Sequence, residues 1–236
     1  MFDRFKRRSY ELEHIDTGNY TAAEYDDCIG ELQLVNRWMG DAHALKSTLF
    51  REVAAAGLRE FSILDVGAGS GELLRVTATW ARETGRSMRG VGLEMNARSA
   101  LSILEESRGF PEISSVRGDA LSLPFDDRHF DYVICSLFTH HFVEEQIIRI
   151  FREMNRVARR RIVVIDLHRH PVAYFLYRTI AKLVLKNRLI RHDGALSILR
   201  SFKADELLAL AKRAGLRDAL VQRHFPFRLA LNAQPT

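Results

Sequence analysis

Short apolar runs and longer helical patterns alternate along most of the chain. The short runs predict strands at 61–66, 89–94, 113–117, 130–135 and 161–167. The segments between them predict helices at about 71–84, 97–108 and 143–158. Strands that alternate with helices are typical of an α/β fold, in which helices cover both faces of a mostly parallel sheet.

The two ends of the chain depart from this alternation. Residues 23–56 predict a helical region, so we divide the chain into an N-terminal helical cap or lid, 1–56, and a main domain, 57–236. After the fifth strand, an apolar and basic stretch at about 170–192 indicates an insertion. A helix at 203–214 and two strands at 217–224 and 227–233 follow. These last strands are joined so closely that they must run antiparallel.

Composition limits the function classes. The chain has 236 residues, 47% of them hydrophobic, which is enough for one substantial core. Its net charge is +5, but the cations are interspersed with 30 acidic residues, so no nucleic-acid partner is expected. Cys28 and Cys135 lack metal-ligand spacing and indicate no disulfide framework, and no run is long enough to span a bilayer, so we expect a cytoplasmic protein. For its oligomeric state we expect a monomer or a homodimer.

A glycine-rich turn is the most informative motif. Asp65 ends an apolar strand, and Gly67, Gly69 and Gly71 follow before a predicted helix. Glycine lets the backbone approach a ligand closely and tolerates positive φ. Position 72, where a dinucleotide fingerprint has its third glycine, is a glutamate that would oppose a pyrophosphate, so a nicotinamide oxidoreductase is disfavoured.

Two further carboxylates extend this site. Glu94 ends the second strand, where a carboxylate can accept hydrogen bonds from both ribose hydroxyls. Asp119 follows the third strand and can accept from an adenine amine, while Asp65 would lie near a cationic amino-acid group. Together they describe a zwitterionic, ribose-bearing nucleoside without phosphate.

The chain resembles the class I methyltransferases that depend on S-adenosylmethionine (SAM), in particular those of ubiquinone and menaquinone biosynthesis. The resemblance covers roughly residues 40–233 and rests on DVGAGSG at 65–71, Glu94, GDALSLPF at 118–125, FDYVICSLFTHHF at 130–142 and the run 153–166. It implies a seven-stranded Rossmann-like sheet in the order 3-2-1-4-5-7-6, with strand 7 antiparallel.

The resemblance also assigns cofactor-binding roles. It implies contacts with SAM, or with its product S-adenosylhomocysteine, in four groups. These are Asp65, Gly67, Ala68, Gly69 and Gly71 for the methionine end, Glu94 for the ribose, Met95, Asp119 and Ala120 for the adenine, and Ser136 and Leu137 beside the sulfonium. A purely structural role for the glycines, and a core role for Met95, are the alternatives.

Histidines near the strand ends are candidates for catalysis. His140 and His141 follow the fourth strand and His168 follows the fifth, where ligands of open α/β sheets bind. One of the first two can act as a general base on a phenol, or can instead have a structural role. Asp166, His168 and His170 with His140 resemble a mixed ligand set, but the acidic pair typical of cation-dependent methyltransferases is missing, so we expect no metal.

The acceptor side has weaker candidates. In the segment 171–190, Arg178, Lys182 and Lys186 recur every four residues and form a basic stripe on an otherwise apolar helix. This segment is a candidate lid, with Tyr174 contacting the acceptor, and a candidate for peripheral membrane contact. A helix packed on the domain with a solvated basic edge is the alternative. Arg37 and Trp38 are further substrate-binding candidates.

The sequence therefore predicts methyl transfer from SAM to an O or C atom of a small hydrophobic acceptor such as a phenol, quinone precursor, polyketide or lipid. The alternatives are an RNA or protein methyltransferase and a SAM-binding scaffold or partner subunit without turnover.

Overall fold

The structure is a computed structural model that describes residues 3–18, 20, 21, 24, 27, 31 and 40–236. A 3-10 turn, Asp3–Phe5, and a short helix, α1 (His14–Thr17), open the chain. A helical segment, α2, then runs through Asp41–Leu45, a π-helical turn Lys46–Phe50 and Arg51–Ala55. The predicted helical region is confirmed from residue 41 to residue 55, whereas most of its earlier part lies outside the described residues.

Seven strands form one sheet. They are β1 (Glu60–Val66), β2 (Ser87–Glu94), β3 (Ile113–Arg117), β4 (Phe130–Ser136), β5 (Ala158–Leu167), β6 (Arg217–His224) and β7 (Arg228–Gln234). Their order is β3-β2-β1-β4-β5-β7-β6, and β7 is antiparallel to both neighbours. The expected order and the antiparallel seventh strand are confirmed. Asp65 pairs with Gly92 on one side and Ile134 on the other, so these three strands end together.

Helices cover both faces of the sheet. Between the strands lie α3 (Glu72–Glu83), α4 (Ala97–Glu106), α5 (Glu144–Val157) and, later in the chain, α8 (Ala204–Arg213). One core cluster joins α5 and α8 to the sheet, and a second joins α2, α3 and α4 to the opposite face. β1 is buried from Phe61 to Val66 without alternation, because both of its faces are covered.

The segment after β5 forms two helices. These are α6 (Pro171–Val184) and α7 (Arg188–Arg200). The insertion is thus longer than the predicted 170–192. The polar side chains at the predicted boundary do not end the helix, because His192 contacts Asp193 and Asp193 accepts from the backbone N–H of His14. Both side chains lie within α7, well before its end at Arg200. Lys186 follows the end of α6, so the predicted stripe of three cations has two members on the helix.

None of the helices among these described residues is both long enough and apolar enough to cross a membrane.

Candidate active site

The glycine turn connects β1 to α3 in a conformation that glycine permits. Gly67, Gly69 and Gly71 have φ values of 72°, 58° and 79°. A Cβ added to Gly67 would lie 2.5 Å from the Phe138 ring, so this position needs glycine for space as well as for φ. A Cβ on Gly69 would meet no heavy atom within 4 Å in the described part of the chain. The turn is therefore packed at Gly67 and open at Gly69.

Asp65 lies buried beneath this turn. Its side-chain Oδ1 has no hydrogen-bond partner among the described residues, and only 2% of the residue is exposed. Burial, reinforced by the negative charge of Glu94, raises the pKa of Asp65 to about 8. A buried carboxyl without a partner is costly, so the position suits a ligand that brings a cation or a hydrogen-bond donor.

Glu94 links β2 to the turn. Its Oε1 accepts a hydrogen bond from the Gly69 backbone N–H at 2.6 Å. Burial raises the pKa of Glu94, although backbone hydrogen bonds from Gly69 and Met95 act in the opposite direction. Met95, the next residue, is 60% exposed, which is unusual for a large apolar side chain and leaves it available to pack on a flat ligand.

The remaining predicted cofactor residues lie at the same edge of the sheet. Asp119 Oδ1 accepts from the Leu121 backbone N–H at 2.8 Å, and the neighbouring Ala120 is buried. Ser136 ends β4, and its buried Oγ has no partner within the described ranges. Leu137 has a φ of 49° and donates its N–H to the Ile165 carbonyl. The buried polar atoms of Asp65 and Ser136 thus fit a polar ligand, as the SAM assignment requires.

His140 forms a buried pair with Asp166, the penultimate residue of β5. Its Nδ1 lies 2.7 Å from Asp166 Oδ1, and His140 is 3% exposed. Asp166 Oδ2 accepts from the Thr139 hydroxyl at 2.6 Å and from the His140 N–H, while Oδ1 also accepts from the Leu167 N–H. Burial favours a raised pKa, but these partners outweigh it and lower the pKa of Asp166 to about 2.

Two buried arginines hold the backbone of the loop 138–142, and the sequence analysis missed both. The Arg200 guanidinium donates to the carbonyls of His140 and His141, the second at 2.6 Å. Arg8 donates to the His140 and Phe142 carbonyls and to the Arg200 carbonyl. Because Arg8 precedes its partners on the loop by more than 130 residues, no local pattern in the sequence indicated this contact.

Glu13 completes this network. It is 2% exposed, and its Oε1 accepts from the Ser197 hydroxyl at 2.8 Å and lies 3.9 Å from the Arg200 guanidinium. Its Oε2 lies 3.7 Å from His141 Nδ1. His140 and His141 have different partners, but their ring centroids lie only 4.3 Å apart, so the two side chains lie beside each other and do not point to opposite sides.

The other candidates lie in different surroundings. His168 is half-buried, and burial together with Arg223 and other cations lowers its pKa to about 4. Tyr174 is buried against Phe5, with ring centroids 5.6 Å apart, and its hydroxyl accepts from Arg178. Its described contacts are thus with the N-terminal segment, with its own helix and with the apolar cluster on α7. Arg37 and Trp38 lie outside the described residues.

Metal-ligand spacing occurs at two places in the described chain. Glu13, His140 and His141 each place one ligand atom within 4.8 Å of the others, as do His14, His192 and Asp193. Asp166, His168 and His170 do not form such a group in the described ranges. His140 and Glu13 already have protein partners in Asp166, Ser197 and Arg200, and the Arg200 cation opposes a metal ion beside Glu13.

Comparison with known proteins identifies the domain. A family model described as a methyltransferase domain matches residues 63–161. A demethylmenaquinone methyltransferase of Roseiflexus castenholzii is 39% identical over 101 residues, which cover 41% of this chain and 37% of that protein. A 2-phytyl-1,4-naphtoquinone methyltransferase of Thermosynechococcus vestitus is 33% identical over 94 residues, 40% of each chain. The match thus spans about two fifths of the length of these curated relatives.

Solved structures show the same fold. A SAM-dependent methyltransferase from Aquifex aeolicus superimposes with a TM-score of 0.60 at 16% identity, covering 86% of this chain and 98% of that one. Human N-acetylserotonin methyltransferase in complex with SAM gives a TM-score of 0.64 at 16% identity, covering 98% of this chain and 64% of that one. Residues 63–161 therefore match a methyltransferase domain, the whole chain has the Rossmann-like fold of class I SAM-dependent methyltransferases, and its sequence resembles those of quinone biosynthesis.

Proposed function

We propose that the protein transfers the methyl group of SAM to an oxygen or carbon atom of a small hydrophobic acceptor, with phenols and quinols as the first candidates. The observation that carries this proposal is the buried Asp65, whose Oδ1 lacks a hydrogen-bond partner among the described residues and lies beneath an open glycine turn. Two relatives are named a demethylmenaquinone methyltransferase and a 2-phytyl-1,4-naphtoquinone methyltransferase, and these names support the acceptor class.

Four groups of residues would hold the cofactor. Asp65 takes the amino group of the methionine moiety, and Glu94 takes the ribose hydroxyls. The other groups are Met95, Asp119 and Ala120 at the adenine, and Ser136, Leu137 and the glycine turn along the sulfur-containing chain. When bound, SAM supplies a methyl group that the positive charge on sulfur has already activated.

His140 is our candidate for the general base. Asp166 is ionised at neutral pH and lies 2.7 Å from His140 Nδ1, and we infer that Nδ1–H donates to this carboxylate, which would leave the lone pair on Nε2. A phenol with a pKa near 10 is about 0.1% ionised at pH 7. Transfer of its proton to His140 Nε2 as the oxygen attacks the methyl carbon would remove this limitation. His168 is a poorer base, because an imidazole with a pKa of about 4 binds a proton weakly.

The decisive experiment is isothermal titration of the protein with SAM, S-adenosylhomocysteine and NAD. We expect roughly micromolar binding of both adenosyl ligands and a loss of about hundredfold in Asp65→Ala, because a charge-assisted hydrogen bond contributes about 1.5–3 kcal/mol. Glu94→Ala should weaken binding in the same direction. Asp126→Ala, which removes an exposed carboxylate, is the matched control and should bind like the wild type.

The pH dependence tests the role of Asp65 more closely. Because its pKa is about 8 in the free protein, a cationic ligand must displace a proton below that pH. Affinity for SAM should therefore rise by up to about tenfold per pH unit towards pH 8 and then level off. Tighter binding of NAD, or SAM binding that Asp65→Ala leaves unchanged, would contradict the proposal. SAM binding without turnover on any phenol or quinol would indicate the non-catalytic alternative.

A further inference from the structure

Helix α6 exposes an apolar strip that the proposed methyl transfer does not use. Val172, Leu176, Ile180 and Leu183 are 54%, 49%, 49% and 81% exposed, and Val184 beside them is 64% exposed. At about 100° per residue, the first four fall within an arc of about 80°. Exposed large apolar side chains elsewhere in the described chain are scattered singly or in pairs along the sequence. Such a concentration on one helix marks an interaction surface.

The same helix is anchored by a different arc. Ala173, Tyr174 and Ala181 are buried, and they pack on Phe5 and on residues of α7. The outward surface of α6 is therefore exposed to water as far as the described residues show. It is divided along its length between the apolar strip on one side and Arg178 and Lys182 on the other.

The segment that carries the strip contains charges of one sign, and the carboxylates of Glu24 and Glu31 lie at its C-terminal end. From Leu167 to His192 the sequence contains no acidic residue and six cations, which are Arg169, Arg178, Lys182, Lys186, Arg188 and Arg191. Glu24 pairs with Arg188 and Arg169 pairs with Glu206, but Arg178, Lys182, Lys186 and Arg191 form no ion pair with any described residue. An apolar strip edged by cations that have no ion pair among the described residues is complementary to a surface with an apolar interior and anionic groups at its boundary with water.

We propose that α6 binds the surface of an anionic lipid bilayer, with the strip of Val172, Leu176, Ile180 and Leu183 in the interfacial region and the cations at the headgroups. The helix would lie in the plane of the membrane, since its opposite arc is packed on the protein. Stable binding of such a helix needs both contributions, because apolar burial and headgroup attraction add.

The test uses vesicle co-sedimentation of the full chain. Vesicles of phosphatidylcholine alone are compared with vesicles containing about a third phosphatidylglycerol. We expect the wild type to bind the anionic vesicles and to bind less at high salt, which screens the charges. Leu176→Glu/Leu183→Glu should lower the partition coefficient at least about tenfold on both vesicle types. Lys182→Glu/Lys186→Glu should lower it mainly on the anionic vesicles.

Leu101→Glu/Leu104→Glu is the matched control, because these leucines are 60% and 45% exposed on α4. It should bind vesicles like the wild type. Leu183→Ser repeats the test with a milder change at the most exposed position of the strip.

Three results would overturn the proposal. The first is a wild-type protein that stays in solution with anionic vesicles, and the second is an equal loss of binding in the α4 control. The third is a solution mass of two chains that falls to one in Leu176→Glu/Leu183→Glu, which would assign the strip to a second copy of the protein. None of these measurements uses SAM, so their outcome is separate from that of the proposed function.

Discussion

Two aspartates at the same edge of the sheet show how differently its two halves are built. Asp65 in β1 and Asp166 in β5 are both buried, yet the pKa of the first is raised to about 8 and that of the second is lowered to about 2. Asp166 accepts four hydrogen bonds, whereas Asp65 Oδ1 has no partner in the described structure. The half around β5, the proposed acceptor half, is thus satisfied by described residues of the protein, while the half around β1, the proposed cofactor half, has a buried oxygen that a ligand could supply with a donor.

The largest expected effect comes from removing His140, the proposed general base of the acceptor half. His140→Ala should lower kcat by about 10²–10⁴, because that is the usual contribution of a general base. SAM affinity should change little, since His140 belongs to the other half. In a pH profile the loss should be greatest where the phenol is protonated and should shrink for nitrophenols, which are already ionised.

A purely structural role for His140 predicts a different pattern. Activity would then fall equally at every pH and with every acceptor. A larger loss in His168→Ala than in His140→Ala would transfer the catalytic role to His168.

The second expected effect is on the free energy of unfolding, through the buried network that holds the loop 138–142. Arg200→Ala removes donors to the His140, His141 and Glu11 carbonyls and takes the nearest cation from buried Glu13. Breaking such a buried network typically costs about 3–5 kcal/mol, which urea unfolding would measure. Arg213→Ala, which breaks an exposed ion pair with Glu144, is the matched control and should cost no more than about 1 kcal/mol. Equal losses in the two variants would show that the network is not a stabilising feature.

The smallest effect, measured near pH 5, should have the opposite sign. Asp65→Asn should stabilise the free protein there by roughly 2 kcal/mol, and by more towards pH 8, because a raised pKa makes ionisation of the native carboxyl unfavourable. The native state then holds a proton that the unfolded chain has lost between about pH 4 and pH 8. Wild-type stability should therefore decrease across this window relative to Asp65→Asn, and the difference should be constant above pH 8.

Thermal unfolding at several pH values would measure this difference, with the exposed Asp126→Asn as the control. A destabilised Asp65→Asn would mean that an internal partner satisfies the carboxylate, and the contrast between the two aspartates would disappear.

The cofactor half could be predicted from sequence because its residues are local. The glycines, Asp65 and Glu94 each lie at the end of a strand whose apolar pattern is clear, and the strand order followed from the resemblance. Their relative positions then depend on a parallel sheet that brings the strand ends together.

The acceptor half could be predicted only in part, because its contacts are long-range. The sequence placed His140 and Asp166 near the same edge, but left open which histidine faces which way. Arg8, Glu13 and Arg200 were missed because buried charges are rare and no spacing links them along the chain. The predicted end of the insertion at about 192 was also too early. Asp193 contacts His192 and accepts a hydrogen bond from the distant His14 N–H, and the sequence pattern does not show such contacts.

The position of Arg8 and Glu13 in the chain has a consequence for how the acceptor can change between relatives. The shared methyltransferase domain is matched at residues 63–161, but these two side chains, which hold the loop 138–142, come from the first 13 residues. Arg200, the third member, comes from the insertion after β5. A change in either peripheral segment would therefore alter the support of this loop, which lies in the proposed acceptor half, while leaving the sheet and the glycine turn the same.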